Sequence, residues 1–472
     1  MKKFYLTTPI YYSNDRPHVG TIYTSIAADV LARYYRASGF SVYFQTGVDE
    51  HGAKIAKAAE LKKFKSPQDF VDHQAPYFEK PLQSLNISYD RFIRTTDQDH
   101  QTLVKKFLEK LEKRGEIYKG KYQGLYCLGC EEFKESIELS DGKCPLHNSV
   151  PQRIEEENYF FKLSKYQDKL ISLIEKGKLK IEPETRKNEV LGFLKNEKLK
   201  DISISRQKVE WGISLPFDQK QTVYVWVDAL LNYLSGGEKY WPADLHLIGR
   251  DILKFHAVIW PALLLANGYI PPKKIFAHGF FTLEGKKISK TFGNIIYADE
   301  VIKEYGPDAV RYFLLREIPF GKDGDFSILN LKNRYNADLA NNLGNLVSRV
   351  AAMILKYYDG DLSQVKASKK DLKRFMVAEI WQKVEKSLKN LKFDEALVAI
   401  WELIARANRY IDLEKPWSEE EKRKIVLGNL VEVVGELSEL ILPFLPQTAE
   451  KIKKQFEGKN IGVAKPLFPR ID

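Results

Sequence analysis

The sequence predicts a parallel α/β domain, interrupted by a cysteine-bearing insertion and followed by an all-α bundle. Three observations carry that prediction. Strand-like and helix-like runs alternate from Phe4 to Asp49 and again from Thr222 to His278. The three cysteines, Cys127, Cys130 and Cys144, fall together between those stretches. Beyond about Asn330, apolar residues recur at helical spacing almost to the end.

The elements follow in order. Phe4-Tyr5-Leu6 begins a strand, and Ser13-Asn14-Asp15-Arg16-Pro17 is a polar loop. Ile22, Ile26, Val30, Leu31 and Tyr34 then recur on one helix face, and Gly39 ends that helix. A second strand, Ser41 to Thr46, runs into Gly47-Val48-Asp49-Glu50-His51-Gly52. Alternation of this kind implies a parallel sheet that binds ligands at the carboxyl ends of its strands. No G-x-G-x-x-G follows the first strand, so the dinucleotide-binding fingerprint is absent. From about Glu116 to Val223 the texture changes to the cysteine cluster and Lys/Glu-rich helices, which marks the insertion. Strands are expected again at Thr222-Val223-Tyr224-Val225-Trp226-Val227-Asp228, at His246 to Asp251 and at Ile275 to Gly279. Leu339, Leu343, Leu346, Val347 and Val350 share one face and open the bundle.

Composition bounds the class. A chain of 472 residues suits about three domains. Its 44% hydrophobic and 29% charged residues are those of a globular protein. No apolar run approaches the ~18 residues of a membrane helix, and Thr and Pro break up the start before a leader can form. A cytoplasmic location is therefore expected. The net charge of +11 suits a polyanionic partner such as RNA, though a lysine-rich proteome would account for it equally.

Five constellations carry chemistry or binding. Pro17-His18-Val19-Gly20-Thr21 opens a helix, where backbone N–H groups make an anion site. There His18 can donate to phosphate oxygens and Gly20 permits close approach; the plain alternative is a loop histidine and a helix-start glycine. Lys286-Lys287-Ile288-Ser289-Lys290-Thr291 lies in a loop bounded by Gly285 and Gly293. Mobile ammonium groups of Lys287 and Lys290 could cover charge that develops on transferring phosphates, whereas most lysine-rich turns are merely solvated. Cys127-x2-Cys130 followed by Cys144-x2-His147 offers three thiolates and an imidazole, a closed shell suited to one structural Zn²⁺. Asp49 ends a strand in the ligand crevice and could hold an ammonium group, or serve as a helix cap. Ile10, Tyr12, Trp226, Ala229, Leu230, Tyr233 and His278 would form a largely apolar pocket beside it. In the helical region Asn345 and Arg349 are one turn apart, and Trp417 follows Pro416 with a ring for stacking an unpaired base; a surface pair and a half-buried indole are the plain alternatives.

The histidine and lysine motifs, in this order, resemble the His-Ile-Gly-His and Lys-Met-Ser-Lys-Ser signatures of class I aminoacyl-tRNA synthetases. The likeness extends to one member. Thr8-Pro9-Ile10-Tyr11-Tyr12, Thr46 to Gly52, Tyr224 to Ala229, Ile248-Gly249-Arg250-Asp251, Ala277-His278-Gly279, Ala340 to Arg349 and Lys415-Pro416-Trp417 resemble the methionyl-tRNA synthetase family over nearly the whole chain.

That resemblance implies a Rossmann-type catalytic domain over 1–115 and 224–265, split by a connective insertion with a zinc knuckle at 116–223. A stem-contact segment with the lysine loop at 266–345 and an anticodon-binding bundle at 346–472 would follow. It implies ATP, accompanied by Mg²⁺, facing His18, Gly20, Thr21, Gly249, Asp251 and Lys290. It places the methionine ammonium on Asp49, with Ile10 and Tyr12 beside it and Trp226, Ala229, Tyr233 and His278 on the thioether side. Asn345, Arg349 and Trp417 would meet the anticodon of tRNA(Met).

The sequence also departs from the family pattern. Thr21 stands where the full motif has a second histidine, Ile288 replaces Met and Thr291 replaces Ser. One cysteine cluster implies one zinc. The chain stops soon after the bundle, so a monomer is expected. The cysteines lie in the insertion rather than the pocket, which argues against a cysteine enzyme; the insertion is too short for the editing domain of the branched-chain enzymes.

Overall fold

Six parallel strands build the catalytic sheet: Lys3–Tyr12 (β1), Ser41–Asp49 (β2), Arg91–Arg94 (β3), Lys180–Glu182 (β4), Leu245–Gly249 (β5) and Lys274–His278 (β6). Their spatial order is β3-β2-β1-β5-β6-β4, and every neighbouring pair is parallel. The chain moves outward from β1 on one side and returns on the other. The order therefore reverses between β1 and β5, and a crevice opens at their carboxyl ends. Register brings Tyr12 opposite Asp49 and Gly249 opposite His278 at that end. The computed structural model describes residues 1–134, 136–145, 148–283, 285–287 and 295–471, with the backbone alone for Tyr122, Glu132, Phe133, Ile137, Lys286 and Lys287.

The first helix, Val19–Ala37 (α1), forms as its periodicity predicts, with Ile22, Ile26, Val30 and Leu31 buried against the sheet. Gly39 follows at φ 81°, a left-handed conformation that glycine adopts without strain. The insertion is built on a long antiparallel pair, Ile117–Cys127 with Gln152–Phe161. It also carries helices Gln167–Glu175 and Glu184–Asn196. Between those two helices the chain contributes β4 to the edge of the catalytic sheet.

The structure corrects three expectations. The run Thr222 to Asp228 is not a parallel strand. It comprises the end of an antiparallel strand, Asp218–Val223, and the start of a helix, Val225–Gly237 (α2). That helix is covered on nearly every side, with Val227, Leu230, Leu231, Tyr233 and Leu234 all buried. A helix apolar all round reads locally like a core strand. Second, β6 belongs to the catalytic sheet, so a boundary at 265 cuts that sheet. Third, a boundary at 345 falls inside an unbroken helical run formed by Ile328–Arg334, a π-helical stretch Tyr335–Gly344, and Asn345–Tyr358. Helices Val377–Lys389, Phe393–Glu414, Glu420–Ile441 and Pro446–Phe456 complete the bundle.

Candidate active site

A cleft of about 680 Å³ opens at the carboxyl ends of β1, β2, β5 and β6, over the N-termini of α1 and α2. It brings together Ile10, Tyr12, His18, Gly20, Thr21, Asp49, Trp226, Ala229, Leu230, Tyr233, Gly249, Asp251 and His278. Lys290, like the rest of 288–294, lies outside the described residues, as does the side chain of Lys287.

At the α1 end, His18 is the N-cap. Its Nδ1 accepts from the Gly20 N–H at 3.1 Å, so in the neutral ring Nε2 carries the proton and is a donor. Thr21 closes the capping box, its hydroxyl oxygen accepting from the His18 N–H at 3.3 Å. The hydroxyl expected to meet ATP therefore first holds the cap. A Cβ on Gly20 would stand 3.0 Å from His18 Cε1, so this glycine makes room for the imidazole itself. Backbone bonds then tie the motif to the chain that leaves the lysine loop: Val19 N–H donates to Ile296 O and Ala298 N–H to Pro17 O, each at 3.1 Å. Arg16 stacks on Tyr297 at 3.9 Å and pairs with Asp299 and Glu300. Phe281 and Ile295, on the two described flanks of that loop, both line the cleft.

At the α2 end the wall is apolar. Trp226 stacks on Phe255 with ring centroids 3.8 Å apart and 9° between planes. The indole N–H donates to Cys130 O at 3.4 Å. Residues Phe255–Ile259 form a π-helical turn, a wider turn often found at functional sites. It presents His256 to the cleft beside Tyr233. His256 Nδ1–H donates to Ile252 O at 2.9 Å, so its Nε2 accepts from the Tyr233 hydroxyl at 2.7 Å. His278 was expected on the thioether side. It lines the cleft from β6, opposite Gly249, with Nδ1–H on Gly279 O and Nε2 accepting from Thr24, each at 2.7 Å. Reasoning from sequence missed His256, Phe255 and Glu131. A lone imidazole in the apolar run 255–265 was the available signal for His256.

Burial pushes His256 down from 6.5 to about 4, only partly offset by its bond to Ile252. His246 and His278 are depressed as well, again by burial. A depressed imidazole contributes stability that is present above its unfolded value and lost as pH falls through the folded one. Thermal melts from pH 7 to pH 4 should therefore show a steady loss, with up to about 3 kcal/mol from His256 alone. A melting temperature flat across that window would contradict neutral buried rings.

Between the two ends sits Asp49. It is 8% exposed. Burial first, then the Asp228 and Glu131 carboxylates, push its carboxyl well above the usual range. Glu131 comes from the insertion. Its Oε1 accepts from the Lys54 N–H at 3.2 Å and its carbonyl from the Tyr224 hydroxyl at 2.7 Å. Gly129, Cys130 and Glu131 thus form part of the cleft wall. The Cys127, Cys130 and Cys144 sulfurs lie within 4.8 Å of one another and are not disulfide-bonded. Such a soft donor set fits a tetrahedral metal. His147, the expected fourth ligand, lies outside the described residues. In the bundle, Asn345 and Trp417 are exposed, and Arg349 pairs with Asp412 at 2.8 Å, five residues before Trp417.

A parallel sheet opened at its switch point, with a histidine-capped helix beside a lysine-loop stem, defines a class I aminoacyl-tRNA synthetase core. The family model described as tRNA synthetases class I (M) matches residues 4–145 and 134–351, and the anticodon-binding domain of tRNA ligase matches 376–472. The chain belongs to the methionine–tRNA ligase family. It is 45% identical to the methionine–tRNA ligase of Caldanaerobacter subterraneus subsp. tengcongensis, over 100% of this chain and 79% of that one. It is 44% identical to that of Thermotoga maritima, over 100% and 80%. A solved structure of Mycobacterium tuberculosis methionyl-tRNA synthetase in complex with methionyl-adenylate superposes with a TM-score of 0.94 at 38% identity, covering 100% of both chains.

Proposed function

We propose that this cleft activates L-methionine with ATP and passes the methionyl group to the 3′ end of tRNA(Met). The methionine carboxylate oxygen attacks the α-phosphorus. The bond from that phosphorus to the bridging oxygen breaks, and pyrophosphate leaves. A hydroxyl of the terminal adenosine then attacks the carbonyl carbon; the bond from that carbon to the phosphate oxygen breaks, the hydroxyl proton passes to the departing phosphate, and AMP leaves. The carboxylate is already ionised, so catalysis is positioning plus charge stabilisation.

The observation that carries this reading is a buried, raised carboxyl at Asp49 that lines one cleft with the stacked Trp226–Phe255 wall and the neutral Tyr233–His256 pair. A carboxyl in that state gains most from an ammonium partner, and the wall suits an unbranched apolar side chain; Ile10, Tyr12, Ala229 and Leu230 complete it. His18 Nε2–H and the α1 N-terminus suit the triphosphate, which Mg²⁺ accompanies; Gly249 and Asp251 suit the nucleoside. Lys287 and Lys290 supply late positive charge. Cys127, Cys130, Cys144 and His147 would hold one structural Zn²⁺, which when bound braces the wall made by Gly129 to Glu131. Asn345, Arg349 and Trp417 are the proposed anticodon contacts. A cytoplasmic location and a monomeric state are part of this proposal; among the described residues no helix is long and apolar enough to cross a membrane.

The test is amino-acid-dependent ATP–pyrophosphate exchange with each standard amino acid in parallel. Exchange driven by methionine is expected; exchange driven by another amino acid would overturn the pocket assignment. Lys290→Ala should slow exchange about 10²–10³-fold with methionine affinity retained, and an unchanged rate would remove this lysine from the reaction. Trp417→Ala should weaken tRNA aminoacylation by about 1–3 kcal/mol and spare exchange. Equal losses in both assays would count against an anticodon role.

A further inference from the structure

Asp228 takes no part in the reaction as described, yet it is among the most constrained side chains near the cleft. It is 1% exposed, and it accepts hydrogen bonds from two imidazoles, His51 Nδ1 and His100 Nε2, both at 2.6 Å. His51 and His100 are themselves buried. His100 Nδ1 lies 2.8 Å from the Ser235 hydroxyl, one end of α2 thus being tied to helix Gln98–Lys113. Burial alone would raise Asp228, but the two imidazoles overcome it and hold the carboxyl at about 2. At neutral pH it is an anion.

What this anion joins explains its placement. His51 stands two residues after Asp49, in a loop held from several sides. Asp49 O accepts from the Ser13 N–H and hydroxyl, each at 3.0 Å. Glu50 N–H donates to Thr95 at 3.0 Å, Tyr12 OH to His51 O at 3.0 Å, and Gly52 N–H to Trp211 O at 3.1 Å. The His51–Asp228 bond ties this loop to α2, to which the middle of the preceding strand is also held, by Gln45 Nε2 on Asn232 O and Oδ1 at 3.0 and 2.8 Å. That same helix carries Trp226, Ala229, Leu230 and Tyr233, the apolar wall. Asp228 therefore links the two ends of the amino-acid pocket, and the separation of carboxylate and wall is the length of side chain the pocket can take.

We propose that Asp228 is a positioning residue that sets side-chain selectivity: through His51 it holds the Asp49 carboxylate at a fixed distance from the wall on α2. This rests on the reading of the cleft as a methionine site. An amide in its place offers one acceptor and one donor, so one imidazole loses its partner or must change tautomer. The loop and helix can then shift relative to each other, and misplacement of about 1 Å can cost as much as 10²-fold.

Pyrophosphate exchange with L-methionine, L-norvaline and L-norleucine, at varied ATP, tests it on the full chain. Asp228→Asn should raise KM for methionine about 10–100-fold while kcat and KM for ATP change less than about threefold. Discrimination of methionine from norvaline, which is shorter, should fall about fivefold or more, because the pocket length is no longer held. An unchanged methionine KM, or parallel losses in kcat and in both KM values, would overturn the proposal. If Asp228→Asn does not fold, His100→Asn leaves the His51 bond but loosens Asp228. It should raise methionine KM about threefold with ATP untouched, and no rise would equally overturn the idea. Wild-type protein that exchanges with no methionine would instead remove the methionine reading itself.

Discussion

Replacing Asp49 by asparagine is expected to cost about 10²–10³-fold in kcat/KM for methionine while raising the melting temperature of the free protein. The first effect follows from truncating one partner of a buried charge pair, which costs about 2–5 kcal/mol. The second follows from the state of the empty site. Burial, Asp228 and Glu131 together push the Asp49 carboxyl well up. A carboxyl raised on folding contributes stability that is present below its unfolded value and lost as pH rises through the folded one. At neutral pH its ionisation therefore works against the fold, and a neutral isostere relieves that strain. In the proposed reading, the amino-acid ammonium would supply the same relief in the wild type. Methionine affinity should accordingly weaken as pH falls through the raised value, because protons then compete for the carboxylate. Exchange kinetics and thermal melts on the same two proteins check both halves. A variant that is both less active and less stable would show that Asp49 is held by protein contacts rather than poised for a ligand.

Arg311→Met is expected to destabilise the protein by about 3–5 kcal/mol, the cost of breaking a buried pair on one side. Arg311 is fully buried in helix Pro307–Glu317. Nε donates to Phe444 O at 2.7 Å, Nη1 to Leu85 O at 3.1 Å and Nη2 to Pro443 O at 2.7 Å. Nη2 also meets Asp29 Oδ2 at 2.7 Å. One guanidinium thus ties α1, which His18 caps, to the turn between the last two bundle helices. One turn earlier, Asp308 Oδ2 accepts from Thr448 N–H at 2.6 Å at the start of helix Pro446–Phe456. The acid therefore sits at a helix N-terminus, where the dipole favours it, and the base caps carbonyls just beyond a helix C-terminus. Methionine has the length of the arginine stem but leaves three carbonyls without their donor. Burial would raise Asp29, but Arg311 and then Arg33 pull it below its usual range, so this contribution is present at neutral pH and lost in acid. Urea unfolding of the two proteins measures the difference, and a loss under about 1 kcal/mol would mean that water replaces the guanidinium.

Much of the site could be read from the chain because each part is local. A histidine one residue before a helix, an acid at the end of a strand and two cysteines with two residues between them all announce themselves within a few residues. His256 and Phe255 did not, because an apolar π-helical turn looks like any other buried segment until its partners Tyr233 and Trp226 are known. Glu131 was hidden for a similar reason. It reads as a surface acid in a charged insertion, yet folding carries it next to Lys54 and Tyr12. Thr21 was seen as a ligand donor, and its place in the capping box depends on the backbone angles of His18.

By itself, the sequence determined the order of strands and helices at the nucleotide end, the candidate metal ligands, the helical C-terminal half and the family resemblance. These rest on periodicity and short-range spacing, which are properties of neighbouring residues. Only the tertiary structure decided that Val225–Gly237 is a helix, that the insertion returns β4 to the catalytic sheet, and that His256 pairs with Tyr233 at the cleft. It also decided that Asp228 and Arg311 are buried anchors and not surface charges. Each of these depends on which elements pack together, because burial and partners far along the chain, not local pattern, set what a charged or apolar side chain does.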